Sequence, residues 1–351
     1  MSDQRSSEPL EKPAWPAAEP HVFSSKAFQA GMSLRVGVLS NPLSGGNRKG
    51  LKTVRAIIDD DAHTVHHETE TPLHVTWALT DFARQEVDIV AVNGGDGTIQ
   101  AVLTALFHHQ PFERPPLLAL LRSGTDSIIA RDAGIRGSSE QGLRRLLNWA
   151  RTRNGGGFIQ KRPVMRLQTV VDGEPLYGMI FGAALAYEGI NYCRRRIHTL
   201  GLTGDMAPGL TLARFLLAVA RGNKNYTNPV PITISLDQNP PTKQNFLLVV
   251  ITTLDRLFVG LRPFWGTEKG PLHFTAIGAR PRHLLRVLPF LGRGRKCRHG
   301  TPENGYFSHN VHTARLTFNS GFTLDGELYS PDPRGEPLDV KYGGQASFLV
   351  F

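Results

Sequence analysis

Three short segments combine glycine, hydroxyl and carboxamide residues in patterns suited to holding phosphate. In Asn93-Gly94-Gly95-Asp96-Gly97-Thr98, three of four consecutive residues are glycine. Glycine tolerates left-handed backbone and lets main-chain N–H groups approach a phosphate closely. A carboxylate inside such a nest would repel the anion unless a cation mediates or the carboxylate has another task. Asp96 is therefore a candidate for Mg²⁺ or hydroxyl contact, the alternative being a tight turn in which it caps the following helix. Asn41-Pro42-Leu43-Ser44-Gly45-Gly46 offers a second small-residue loop, with Asn41, Ser44 and Gly45 as contacts. Arg122-Ser123-Gly124-Thr125-Asp126-Ser127 offers a third, with Ser123, Gly124 and Thr125. The set is neither a GxxxxGK[ST] loop nor a GxGxxG fingerprint on the first strand.

Each segment needs a strand to deliver it and a helix to follow it. Arg35 to Leu39 is a short apolar run ended by Asn41-Pro42, which predicts a buried strand entering a turn. Arg48 to Asp59 carries Leu51, Val54, Ile57 and Ile58 at helical spacing. The pattern continues with a strand over 64–69, a helix over 73–84, a strand over 88–92, a helix over 97–108 and a strand over 117–121. Strands alternating with helices indicate an α/β domain with a parallel sheet, in which ligands bind beyond the carboxyl ends of the strands. All three loops can then face one cleft. After Asn154-Gly155-Gly156-Gly157, strand-like runs at 164–171, 176–185, 230–236 and 245–253 predict a mostly antiparallel second domain, interrupted by a helix from about Leu210 to Arg221. The expected division is a flexible leader over 1–30, an α/β domain over 31–157 to which the tail 331–351 returns, and a β-rich domain over 158–330.

The 351 residues suffice for two domains and a core that folds without staples. Cys193 and Cys297, far apart and in no CxxC pair, point to free thiols rather than a disulfide or zinc framework. A net charge of +10 favours an anionic partner. No apolar run reaches the length of a membrane span, and the Glu- and Pro-containing N-terminus does not read as a signal peptide. The expectation is a cytoplasmic protein that meets any lipid from the side.

Taken together, Asn41-Pro42-Leu43-Ser44-Gly45, Gly94-Gly95-Asp96-Gly97-Thr98 and a late Leu324-Asp325-Gly326-Glu327 resemble the NPxSG, GGDGT and DGE elements of the diacylglycerol kinase catalytic-domain family, which includes diacylglycerol, sphingosine and ceramide kinases and bacterial lipid kinases. The resemblance runs from Leu34 to the C-terminus. It implies a nucleotide-binding α/β domain, a β-sandwich domain, a site between them, and ATP and Mg²⁺ as cofactors. NAD kinases share GGDGT, so that motif alone does not choose the acceptor. The family often has PxGTxND in the third loop; here Arg122 stands in place of the proline and Asp126-Ser127-Ile128 in place of xND, while Thr125 is kept. A Thr-Asp-small pattern is similar to ceramide kinases, which moves ceramide ahead of diacylglycerol as acceptor.

A lipid hydroxyl is a poor nucleophile, so a kinase must orient it, accept its proton and neutralise charge on the γ-phosphate. If Asp325 and Glu327 lie on one strand, their i, i+2 spacing points both to one face, with Gly326 leaving room for substrate. Asp325 is then the leading general base, Glu327 its support or a metal contact, and Asp96 the rival base and a second metal contact. The alternative is that Asp325-Gly326 is a hairpin turn. A further segment, 280–299, holds Arg280, Arg282, Arg286, Arg293, Arg295, Lys296 and Arg298 with no acid, interleaved with Leu284, Leu285, Val287, Leu288, Phe290 and Leu291. It suits the interface of an anionic membrane, or a helix with a solvated basic face; no nucleic-acid-binding motif accompanies it. The leading expectation is an ATP-dependent lipid kinase acting on ceramide, diacylglycerol or a sphingoid base. The alternatives are an NAD kinase-like enzyme and a degenerate nucleotide-binding regulator.

Overall fold

The computed structural model describes residues 32–123, 127–169, 173–200, 228–257 and 260–351, with side chains in 193–200 excluded. The expected leader, the expected helix from Leu210 to Arg221, and Gly124, Thr125 and Asp126 of the third loop lie outside the described residues.

The first part is a parallel sheet. Strands β1 (Val36–Ser40), β2 (Thr64–Glu68), β3 (Ile89–Gly94) and β4 (Leu117–Arg122) run in the order β2-β1-β3-β4. β1 and β3 are buried along their whole length, as expected of strands covered on both faces. Helix α1 (Asn47–Asp59) packs Leu51, Val54, Ile57 and Ile58 on one face, beside Leu143, Leu146 and Leu147 of α5 (Ser139–Thr152), against Val36, Val38, Ala91 and Ala119. Helices α2 (Pro72–Arg84) and α3 (Asp96–Thr104) cover the other face with Leu79, Phe82, Ile99 and Val102 against Leu39, Val92 and Leu120. Alternate strand residues thus feed opposite layers, each full burial contributing roughly 1.5–3 kcal/mol. The α3 helix widens into a π turn over Ala105–His109 and stops at Gln110, whose φ is +48°. Two helices that the apolar spacing does not announce follow β4: the short α4 (Ile128–Ala133) and α5, which starts on a Ser138/Gln141 capping box.

The second part is antiparallel. β5 (Phe158–Thr169) pairs along its whole length with the last strand, β15 (Leu338–Val350), which also meets β4 in parallel at Phe348–Leu118. From β15 the sheet continues through β12 (Thr313–Thr317), β8 (Val230–Leu236), β9 (Thr242–Thr252), β7 (Ile180–Ala184) and β13 (Phe322–Leu324) to β14 (Glu327–Tyr329). Strands β6 (Leu176–Gly178), β10 (Leu272–Gly278) and β11 (Tyr306–Val311) branch from this path. A second core gathers Phe181, Val249, Ile251, Phe274, Leu316 and Val340. Helix α6 (Leu185–Leu200) follows β7, and α7 (Leu284–Leu291) follows β10. The parallel core with an antiparallel strand-rich region matches the fold class expected from sequence. The single strand expected over 176–185 is broken at Met179, because the Met179 N–H donates to the Asp325 carboxylate instead of a neighbouring strand.

Candidate phosphate-binding and catalytic site

At the carboxyl ends of β1 and β3, the first two loops are stitched together by side chains. Asn41 Nδ2 donates to Thr98 Oγ1 at 3.0 Å, and Ser44 Oγ accepts from the Gly95 N–H at 3.2 Å. Asn47, which the sequence reading did not single out, is buried and donates through Nδ2 to the carbonyls of both Asn41 and Asn93 at 2.8 Å. A Cβ at Gly94 would overlap the Thr98 side chain, so the close approach of strand and helix requires glycine there. The loops therefore form one rigid unit.

The helices after these loops differ from their neighbours in how they begin. α2 is capped by Thr71, α4 by Ser127 and α5 by Ser138. α1 starts at Gly46 and α3 at Gly95, and neither has a side-chain cap. Two helix starts at one sheet edge thus have a glycine N-cap that brings no side-chain oxygen of its own, the Asn47 and Arg48 N–H groups of α1 donating to the Ser44 carbonyl instead. Together with the positive end of each helix dipole, that arrangement suits an anion.

Asp96 does cap a helix, though not its own. Its carboxylate accepts from Ser127 Oγ, from the Ile128 N–H at 3.0 Å and from the Ile129 N–H at 3.4 Å. The GGDGT carboxylate is thereby turned toward α4 and ties the second loop to the third. Arg122 lies beside Gly94 in the β3–β4 register. Burial, followed by the nearby Arg131 and Arg136, holds its guanidinium below the ordinary arginine range. Ser123 is buried, and its hydroxyl has no hydrogen-bond partner among the described residues.

The late acidic pair does not share a strand face as expected. Asp325 and Gly326 have φ of +49° and +83° and form the two-residue turn between β13 and β14. Asp-Gly is a favoured pair for such a turn, because both central residues need positive φ. The turn nevertheless reaches the second glycine loop. Glu327 lies against Gly97, where a Cβ would overlap its Oε1. Asp325 is buried, its carboxylate accepting from the Met179 N–H at 3.0 Å and the Ile180 N–H at 2.7 Å. Burial, then the charge of Asp96, push the Asp325 carboxyl well above the usual carboxylate range, against the pull of those two amides. Asp96, Asp325 and Glu327 are thus gathered around the start of α3.

Behind α4, Arg162 of β5 forms an ion pair with Asp132 at 2.9 Å, without the alignment of a hydrogen bond, and a hydrogen-bonded pair with Asp255. Burial raises the Asp132 carboxyl despite the guanidinium. Among the described residues, the group of three or more metal-type ligands that lies within 4.8 Å is His108, His109 and Glu174, not the acidic residues of the cleft.

Residues 35–154 match the sequence profile of the diacylglycerol kinase catalytic domain. The resemblance to that family read from the sequence is thereby supported over this segment. The matched segment holds all three glycine loops, and the Asp325 turn joins it from outside. No curated protein matches the sequence significantly. Solved structures do match the fold. A diacylglycerol kinase from Bacillus anthracis str. Sterne is 15% identical, with a TM-score of 0.57, covering 90% of this chain and 96% of its own. Two further structures from that organism, provisionally described as diacylglycerol kinases, are 17% and 16% identical, with TM-scores of 0.61 and 0.62. They cover 90% of this chain and 96% and 97% of their own. At this identity the likeness speaks for the fold alone, in both its parallel and its antiparallel parts.

Proposed function

We propose that the protein is an ATP-dependent lipid kinase that transfers the γ-phosphate to a hydroxyl of a membrane lipid, with ceramide ahead of diacylglycerol and sphingoid bases. The observation that carries this reading is the pair of helix starts, α1 and α3, left without side-chain caps at the edge where Asn41, Ser44, Gly45, Gly94, Gly95, Gly97 and Thr98 converge. Phosphate oxygens of ATP accept from main-chain N–H groups there. Ser123, Gly124 and Thr125 of the third loop are the remaining phosphate contacts in this reading, which the sequence pattern supports.

Asp325 takes the proton of the acceptor hydroxyl. A carboxyl raised by burial binds a proton more readily than an exposed one, which suits a general base. Its amide partners at Met179 and Ile180 fix its orientation. Asp96 and Glu327 would hold Mg²⁺. Carboxylate oxygens are the donor type that hard cations prefer, and the mutual repulsion of Asp96 and Asp325 is the field a cation relieves. When bound, Mg²⁺ supplies charge neutralisation on the transferred phosphoryl group. The ceramide preference rests on Thr125-Asp126-Ser127.

A panel of ceramide, diacylglycerol, sphingosine and monoacylglycerol in detergent micelles, with radiolabelled ATP and Mg²⁺, tests the proposal. Label is expected in at least one lipid and most strongly in ceramide. Transfer to none of the four overturns the kinase reading. Label confined to diacylglycerol overturns the ceramide preference alone. Phosphorylation of NAD in the absence of lipid would replace the lipid acceptor with a soluble one.

A further inference from the structure

Helix α7 divides its apolar residues between two environments. Leu284, Val287 and Leu291 are buried in the core with Leu254, Leu257 and Tyr306. Leu285 is 55% exposed and Phe290 43% exposed, with Pro289 also exposed between them. Leu261 is 43% exposed and packs beside Gly292 at the end of the helix, where the Arg262 N–H donates to the Gly292 carbonyl at 3.0 Å. Leu285, Phe290 and Leu261 thus remain outside the core, as the apolar residues of an interaction surface do.

The surrounding charge is of one sign. Arg280, Arg282, Arg286, Arg293, Arg295, Lys296 and Arg298 are all exposed. Among the described residues no carboxylate pairs with any of them. The acid nearest in sequence is Glu303, on the turn Pro302–Asn304 whose Asn304 carbonyl accepts from the Arg282 N–H. The helix presents a few bulky apolar side chains ringed by cations, with its other side anchored in the core.

We propose that α7 and the adjoining Leu261 loop are the surface by which the protein docks on an anionic phospholipid membrane, with Leu285 and Phe290 entering the interface and the basic cluster contacting headgroup phosphates. Charge complementarity selects this occupant, because seven exposed cations favour an anionic surface. The protruding apolar residues favour a lipid boundary over a nucleic acid, which offers phosphates but no acyl layer. The purpose of such docking rests on the lipid-kinase reading; the docking itself does not.

Co-sedimentation of the full chain with phosphatidylcholine vesicles, with and without phosphatidylglycerol, tests this. Binding is expected only with phosphatidylglycerol and should weaken as salt rises. Neutralising Arg282 and Arg286 to Gln should each lower the partition coefficient about five-fold, from roughly 1 kcal/mol per basic residue. Leu285→Ser with Phe290→Ser should abolish sedimentation while leaving phosphorylation of micellar lipid unchanged, since both side chains are exposed and outside the cleft. Failure of the wild type to sediment with anionic vesicles overturns the proposal, even if micellar lipid is phosphorylated. Sedimentation without phosphorylation upholds docking and removes the kinase reading. Binding to a DNA duplex as tight as to vesicles, insensitive to the Leu285 and Phe290 substitutions, would make the surface a polyanion site and overturn the membrane.

Discussion

Asp325 occupies a position that is costly for a carboxylate, with positive φ, full burial and a second acid nearby. Asp325→Asn keeps an oxygen to accept the Met179 and Ile180 amides and removes the buried charge. We expect it to reduce turnover about 10²–10⁴-fold, the usual contribution of a general base, with a thermal midpoint no lower than wild type. Steady-state kinetics and a melt on the same preparation check this, and near-normal turnover removes Asp325 from the role. Asp96→Asn is also expected to cut turnover severely, and in addition to weaken the contact with α4, because Asp96 holds Ser127 and the Ile128 amide. Gly97→Ala adds a methyl group where Glu327 Oε1 lies. Displacing that carboxylate by about an ångström should lower kcat/KM roughly 100-fold, and a kinetic comparison with Gly50→Ala, inside α1 where a Cβ meets nothing, controls for helix effects.

At the scale of elements, the glycine loops were legible because their chemistry is local: a strand, three glycines and a helix announce themselves within twelve residues or so. The Asp325-Gly326 turn was legible too, since Asp-Gly between short apolar runs is a hairpin signal. The hairpin turn, the alternative to one strand face for Asp325 and Glu327, is what forms. What was not legible was the cap that Asp96 gives α4, formed between residues far apart in sequence. The contact between the segment before β10 and strand β11 supplies a pH-dependent example. Burial opposes ionisation of Glu268, but its hydrogen bonds from His309 and the Asn310 N–H bring its pKa down to about 2. A depressed carboxyl stabilises the fold above its unfolded value and loses that contribution as pH falls through the folded value. Glu268→Gln should therefore unfold at lower denaturant than wild type at pH 6, and the two should converge as pH falls toward about 2. Equal midpoints at pH 6 would show the contact contributes nothing.

Across the whole molecule, β15 and Arg162 bind the two halves of the chain. β15 runs between β4 and β12 and pairs with all of β5. Arg162 joins Asp132, on the helix after the third loop, to Asp255, beyond the end of β9. Arg162→Met should destabilise the protein by about 3–5 kcal/mol, because it leaves the buried Asp132 carboxyl without its cation. The double variant with Asp132→Asn should recover much of that loss in denaturant unfolding. An additive double variant would mean the pair is not coupled.

The sequence by itself determined the parallel core, the positions of the glycine loops along the chain and the family resemblance, because these depend on glycine conformational freedom, strand-helix alternation and short motifs read within one segment. Only the tertiary structure decided which way the functional carboxylates point and which apolar residues of α7 remain outside. Asp96 turns to α4 because α4 places its amides and Ser127 there. Asp325 meets Met179 and Ile180 because β13 pairs with β7. Leu285 and Phe290 are left in solvent because Leu284, Val287 and Leu291 already fill the core beneath them. Each outcome is set by contacts between segments far apart in the chain, and local residue patterns carry no record of them.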